Sequence, residues 1–472
     1  MSPKPSSPGH GQSSAKPVDA KGEGSAIRRY INSLARRSPA RLAMLVFAGI
    51  ILLVTALLML PFAHSGPGSA GFIEALFTAT SGVCVTGLTV VDMATYWTPF
   101  GQAIVALGVQ IGGWGVMVLA SLLALAVSRR LGLTQRMLAA TETKSDLGDI
   151  GVLLRAVVIT SLVVEGILTL AFLPTFTGVT SSFLAAISHS IFMGISTFNN
   201  AGFVILPDGL GPFAGSWAVG LPIVFGTIIG AVGFPVTLNV VRNLRSPRKW
   251  TLHTKITLVT YMALLGFAVV MVGLLEWNNP ASIGALEGSE RVIATLLHGT
   301  TPRSSGISTL DIGAMHESTW FVMDILMFIG AGSASTGGGI KVSTFAVLVL
   351  AILAEARGDR DTEAFGKRIP PDIIRLAISA TFLGSFMVGT GTLLILHLTD
   401  LPLSRVIFDV ISAFATCGLS TGITPDLPDS ALVVLVVLMY LGRVGTMTFA
   451  AALALRHRRR VIRLPEERPV IG

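Results

Sequence analysis

The chain has 472 residues, 51% of them hydrophobic and only 13% charged, with a mean hydropathy of +0.73. Soluble domains carry about 25% charged residues, and no soluble core hides this much apolar surface. A soluble enzyme or binding module is excluded, and the net charge of +8 belongs to basic loops at a membrane face rather than to a nucleic-acid surface.

Residues 1–41 come first. Met1 to Ala26 is rich in Ser, Pro, Gly and Lys and reads as a disordered cytoplasmic tail rather than a secretory signal. Ile27 to Arg41, with five arginines among Tyr30, Ile31 and Leu34, reads either as a basic helix on an anionic membrane face or as a solvated stop. Apolar segments able to span then begin near Leu42, Phe100, Gly151, Trp217, Ile256, Trp320, Ile374 and Leu432. They fall into four units, 42–130, 151–245, 255–356 and 372–456, followed by a basic cytoplasmic tail, 457–472.

Within each unit a shorter Ser/Thr/Gly-rich stretch separates two spans. The four stretches superpose on Gly87, Gly202, Gly306 and Gly418, about a hundred residues apart. Ten residues earlier stand Phe77, Phe192, Leu296 and Phe408; six earlier, Ser81, Ser196, Thr300 and Ser412; one later, Leu88, Phe203, Ile307 and Leu419. An internal fourfold repeat follows. Gly71 to Ser81, as a helix, is roughly 17 Å long, about half the hydrocarbon thickness, so each short stretch turns back at mid-membrane. Irregular backbone at that depth survives only when buried or lining water. The fold expected is an all-α polytopic membrane protein, four helix, re-entrant pore loop, helix repeats around one central pore.

The joints between units carry Arg129, Arg130, Arg136 and Lys144, then Arg242, Arg245, Arg248 and Lys249, then Arg357, Arg360, Lys367 and Arg368, and the chain ends with Arg456, Arg458, Arg459 and Arg460. Acidic Asp92, Asp208, Asp311, Glu317, Asp426 and Asp429 flank the re-entrant stretches instead. The positive-inside rule puts both termini in the cytoplasm and brings the loops in from outside.

Four short helices would aim the negative ends of their dipoles at a common axis. After them come Val85-Thr86-Gly87, Asn200-Ala201-Gly202, Ser304-Ser305-Gly306 and Thr416-Cys417-Gly418, a candidate filter whose backbone carbonyls would replace the water of a bound cation. Cys84 and Cys417 match no metal-ligand spacing and read as packing residues. Trp320 to Leu353 is too long for one straight span and is interrupted by Gly330-Ala331-Gly332-Ser333-Ala334-Ser335-Thr336-Gly337-Gly338-Gly339. An irregular loop at membrane depth is expected there, in the only strongly interrupted inner helix. Lys341 follows, but the spacing does not make a phosphate loop. Arg443, in the last inner helix between Gly442 and Gly445, is read either as a tie to backbone carbonyls or as an ion-facing charge. Glu74, Glu165, His189, Asp324 and Asp409 are expected to be partnered or at the interface.

The motifs TSGVCVTGLTVVD, FNNAGF, TPRSSGISTLD, ASTGGGIKVSTF, ATCGLSTG and GRVGTMTF resemble the Ktr/Trk/HKT superfamily of K+ transporters, most closely its KtrB-type pore subunits, in a similarity that covers roughly Leu42 to Leu455. The resemblance implies K+ uptake across a prokaryotic cell membrane, no enzymatic activity, no covalent cofactor, Na+ as an activator, a homodimer with one pore per subunit, and a cytoplasmic nucleotide-binding RCK-type ring. It also implies a gate formed by Gly330, Gly332, Ser333, Ser335, Thr336, Gly337, Gly338, Gly339, Lys341 and Arg443. Gly87 at the first filter position matches the K+-selective members. Two rivals are weighed against it. A rocking secondary transporter predicts two inverted repeats with paired broken helices; an intramembrane enzyme needs a nucleophile–base pair or a metal cluster at usable spacing, which the sequence lacks.

Overall fold

Each of the four units is two membrane-crossing elements with a short helix between them. A computed structural model describes residues 39–128, 150–180 and 182–445. The expected N-terminal tail, the basic joint after the first unit and the C-terminal arginines lie outside the described residues.

Unit 1 consists of α1 (Pro39–Leu58), α2 (Phe72–Val83) and α3 (Pro99–Ser128). Unit 2 has α4 (Ile150–Thr177), α5 (Phe183–Asn199), α6 (Trp217–Val232) and α7 (Phe234–Arg242). Unit 3 has α8 (Leu252–Glu276), α9 (Ser289–Thr300), α10 (Glu317–Ile329) and α11 (Val342–Arg357). A two-residue hairpin, β1 (Glu363–Ala364) with β2 (Lys367–Arg368), leads to unit 4: α12 (Pro371–Leu398), α13 (Leu403–Phe414) and α14 (Asp429–Tyr440), the last running into a π turn, Leu441–Gly445.

Burial follows element length. The long helices α4, α8 and α12 leave Leu162, Leu170, Leu274 and Phe382 exposed, the outward faces of helices solvated by lipid. The short helices are inside: Phe77, Ala79, Val83, Phe408, Ala413 and Phe414 are all fully buried. A 12-residue helix rises about 18 Å, so α2, α9 and α13 stop at mid-depth with their C-termini converging. The bundle closes on itself where the Tyr440 hydroxyl of α14 donates to the Met44 carbonyl of α1 at 2.6 Å.

Two boundaries move from their expected places. The first short helix is Phe72–Val83 rather than 71–81, because α2 keeps its regular hydrogen bonds two residues deeper. The inner element of unit 3 is two helices, α10 and α11, separated by 330–341. It is not the only broken inner helix: α6 and α7 meet at Gly233 with a bend of 98°. Gly233 sits at φ +97°, and Pro235, which has no N–H to give, occupies the first turn of α7. The rocking-transporter reading does not gain from this second break, since both breaks flank one and the same loop.

Candidate functional site

The four short helices end in four backbone segments that repeat one conformation. Val85, Asn200, Ser304 and Thr416, each two residues before the aligned glycine, have φ of 56°, 58°, 80° and 46°. The glycines have φ of 96°, 75°, 67° and 98°. A left-handed residue alternating with an ordinary one turns successive carbonyls to the same side of the strand. For β-branched Val85 and Thr416 that conformation costs about 1–3 kcal/mol each, held by the surrounding structure.

The glycines close a ring. A Cβ on Gly87 would collide with the Ala201 carbonyl and lie 2.8 Å from the Gly202 Cα; one on Gly202 would lie 3.2 Å from the Ser305 oxygen and 3.3 Å from the Gly306 Cα. One on Gly306 would strike the Cys417 carbonyl, and one on Gly418 the Thr86 carbonyl. Each glycine thus packs on the segment of the next unit, and the fourth packs on the first. The twelve candidate filter residues come together around one axis, all of them other than the glycines essentially without solvent exposure.

The hydroxyl column explains its own position. Ser81 Oγ and Ser412 Oγ each accept from the N–H of the aligned glycine, Gly87 and Gly418, at 3.0 Å. Ser196 Oγ instead donates to the Phe203 carbonyl at 2.8 Å. Unit 3 departs from the pattern: Thr300 Oγ1 bonds back to Leu296 O of its own helix. Removing the serine hydroxyl strands a buried N–H, which costs about 1–3 kcal/mol. Ser81→Ala and Ser412→Ala are therefore expected to lower the thermal unfolding midpoint in detergent clearly, and Thr300→Val much less.

Directly beneath the segments lies the Gly-rich loop. Asn200 Nδ2 donates to Thr336 Oγ1 at 2.8 Å, Gly338 N to Ser304 Oγ at 2.9 Å, and Gly338 packs so closely on Thr416 Oγ1 and Ala415 O that no side chain fits there. The loop thus touches three of the four left-handed positions. Its carbonyls are held by three cations, the buried Arg303 and Arg443 and the half-buried Lys341. Arg303 Nη2 donates to Gly330 O at 2.9 Å, Lys341 Nζ to Gly337 O at 2.7 Å, and Arg443 Nη1 to Thr336 O. Of the two readings of Arg443, the tie to a backbone carbonyl is the one observed. No carboxylate lies within 4 Å of any of the three among the described residues. Ser335 Oγ bonds within the loop to Gly332 O, and Ser333 Oγ pairs with Ser343 Oγ at 2.8 Å.

Arg303 has a role that sequence reasoning missed. It is fully buried, its guanidinium 4.5 Å over the Tyr261 ring, and it anchors the first residue of the loop. A lone arginine in an apolar repeat was the available signal. Glu165 is partnered as expected, accepting from Gln110 Nε2 at 2.9 Å and Asn199 Nδ2 at 3.0 Å. So is Asp409, which accepts from Ser420, Thr421 and Thr424. Asp324 is not: its Oδ1 is buried with no hydrogen-bond partner among the described residues. Glu74 is part-exposed at the start of α2; His189, well inside α5, is part-exposed with its Nδ1 buried and without a hydrogen-bond partner among the described residues, and Cys84 and Cys417 are buried free thiols.

Comparison with known proteins agrees with this architecture. The sequence profile of the TrkH family, described as a cation transport protein, matches residues 33–460. Ktr system potassium uptake protein B of Bacillus subtilis is 36% identical over 424 residues, 89% of this chain and 94% of that protein. Potassium/sodium uptake protein NtpJ of Enterococcus hirae is 32% identical, covering 92% of this chain and 97% of that protein. The crystal structure of the potassium transporter TrkH from Vibrio parahaemolyticus superposes with a TM-score of 0.70 at 18% identity, over 89% of this chain and 85% of that one, which speaks for the fold alone. Four repeats around one ring, together with these matches, place the chain in the TrkH family of cation transport proteins, as a KtrB-type pore subunit and not an enzyme.

Proposed function

We propose that this protein carries K+ into a prokaryotic cell through the ring of Gly87, Gly202, Gly306 and Gly418, with the loop 330–339 as its gate. The observation that carries the reading is the closed glycine ring, with the Thr86, Ala201, Ser305 and Cys417 carbonyls packed against it. Backbone oxygens in such a ring replace the hydration shell of a cation without adding a charged side chain. Four short helices add the negative ends of their dipoles at the same place. Relatives named for potassium uptake support K+ as the cargo, and one named for potassium and sodium fits Na+ as a second ion, the activator.

The basic joints after units 2 and 3 and the acidic residues beside the short helices support cytoplasmic termini with the filter opening outward. We divide the chain into the four units 42–130, 151–245, 255–356 and 372–456 read from the repeat, with the inner element of unit 3 divided by the loop. A homodimer with one pore per subunit and a cytoplasmic RCK-type ring that reads a nucleotide complete the proposal, on family resemblance.

The test is ion flux with purified protein in vesicles. Rubidium-tracer uptake is expected to be competed by K+ at far lower concentration than by Na+. Equal competition by the two ions, or no uptake above empty vesicles, rejects the reading.

A further inference from the structure

The broken inner helix of unit 2 also holds the Gly-rich loop, through backbone rather than side-chain groups. The end of α6 offers unpaired carbonyls, and the loop satisfies them: Gly332 N donates to Ala231 O at 2.8 Å and Thr336 N to Gly230 O at 3.3 Å. In return Phe234 N, the first residue of α7, donates to Ala334 O at 3.2 Å. At the bend itself there is no room to spare, since a Cβ on Gly233 would sit 2.5 Å from the Ser333 oxygen. Three backbone hydrogen bonds therefore join the bend to the loop.

From that bend α7 leaves at 98° to α6, across the end of a membrane helix rather than along it. One side is buried through Phe234 and Val236. The far end and the turn after it are open: Val241 is 67% and Leu244 68% exposed, and Arg242, Arg245, Arg248 and Lys249 are exposed beside them. Residues 234–251 contain no acidic side chain, and none of the four cations forms an ion pair among the described residues. The turn is nonetheless built, with Trp250 Nε1 donating to Asn243 O at 3.3 Å and Thr251 N to Asn239 Oδ1 at 3.2 Å. Large apolar side chains interleaved with cations, on a helix lying across a membrane helix's end, fit the boundary between acyl chains and anionic headgroups.

We propose that Val241 to Lys249 is a binding surface for anionic phospholipid, and that its occupancy is transmitted through Gly233 to the loop. The binding half stands by itself; the transmission half rests on the loop being the gate. Drawing α7 toward headgroups loads the three bonds at the bend, so anionic lipid favours release of the loop.

The experiment uses the full chain in phosphatidylcholine vesicles with and without phosphatidylglycerol, and counts bound lipid by native mass spectrometry. Each cation near an anionic surface is worth about a factor of five, so the triple variant Arg242→Gln/Arg245→Gln/Arg248→Gln is expected to bind phosphatidylglycerol roughly a hundredfold more weakly. Phosphatidylglycerol is expected to raise rubidium flux several-fold in the wild type and not in the triple variant, whose flux in phosphatidylcholine stays at the wild-type level. A chain lacking 333–337 is expected to be fast in both lipids. A triple variant that binds and responds to phosphatidylglycerol as the wild type does overturns the proposal. So does a wild type indifferent to the lipid whose flux answers only to an acidic protein partner. If deletion of 333–337 leaves flux flat while the binding difference stands, it is the gate reading that fails, and with it only the transmission half.

Discussion

Deleting Ser333 to Gly337 is expected to raise K+ flux by about tenfold or more in the absence of any regulatory subunit. The deletion suits the local geometry because the two ends of the loop already lie side by side. Ala331 N donates to Gly338 O at 3.2 Å, Ile340 N to Phe328 O at 3.0 Å and Val342 N to Ala331 O at 3.0 Å, and Gly330 packs directly on Gly339. The glycines left behind can turn the chain with little strain. What is removed is the part that reaches Asn200 and accepts from Arg443. Arg443→Gln removes only one charge-assisted bond, worth about 1.5–3 kcal/mol, and leaves the loop's bulk in the path. Its flux is expected to rise less than that of the deletion, with some loss of thermal stability because a buried tie goes. Rubidium-tracer uptake on protein that runs monodisperse in detergent is the measurement. Flux that stays flat in a folded deletion variant rules the loop out as the obstruction.

Substituting Gly87→Ser is expected to lower the K+/Na+ flux ratio by about tenfold, a change of about 1.4 kcal/mol in relative preference. At φ +96° a side chain is strained whatever the space, and here its Cβ meets the Ala201 carbonyl and the Gly202 Cα. Because each glycine packs on the next unit, relief at Gly87 displaces carbonyls of unit 2, and the ring loses the even spacing that favours K+ over the smaller Na+. The ratio, taken from competition of K+ and Na+ against rubidium, is the readout, with elution from a size-exclusion column at the wild-type volume as the control for folding. An unchanged ratio in such protein removes unit 1 from the filter.

Much of the architecture is readable without coordinates, and the reasons are local. Apolar runs bracketed by Arg and Lys can only cross a bilayer, because nothing else hides them. Glycines recurring at one offset from a hydroxyl and an apolar residue can only be a repeated unit, and the repeat brings Gly87, Gly202, Gly306 and Gly418 into one frame. Five glycines within Gly330 to Gly339 break a helix on propensity alone. Even the bend at Gly233 left a trace, a glycine two residues before Pro235.

What the sequence could not supply is which groups meet across the repeats. Arg303 and Arg443 are 140 positions apart in the chain and look alike in it, each a lone cation near glycines. Only the packed bundle decides that one stacks on Tyr261 and holds the start of the loop while the other holds its tip. The serines of the hydroxyl column share a register, yet Ser81 accepts from a glycine N–H and Ser196 donates to a carbonyl. Hydropathy and repeat spacing report how each segment is solvated, a property of neighbours in sequence. Hydrogen bonds between segments a hundred residues apart depend on distances of a few tenths of an ångström, which only the closed ring of four units fixes.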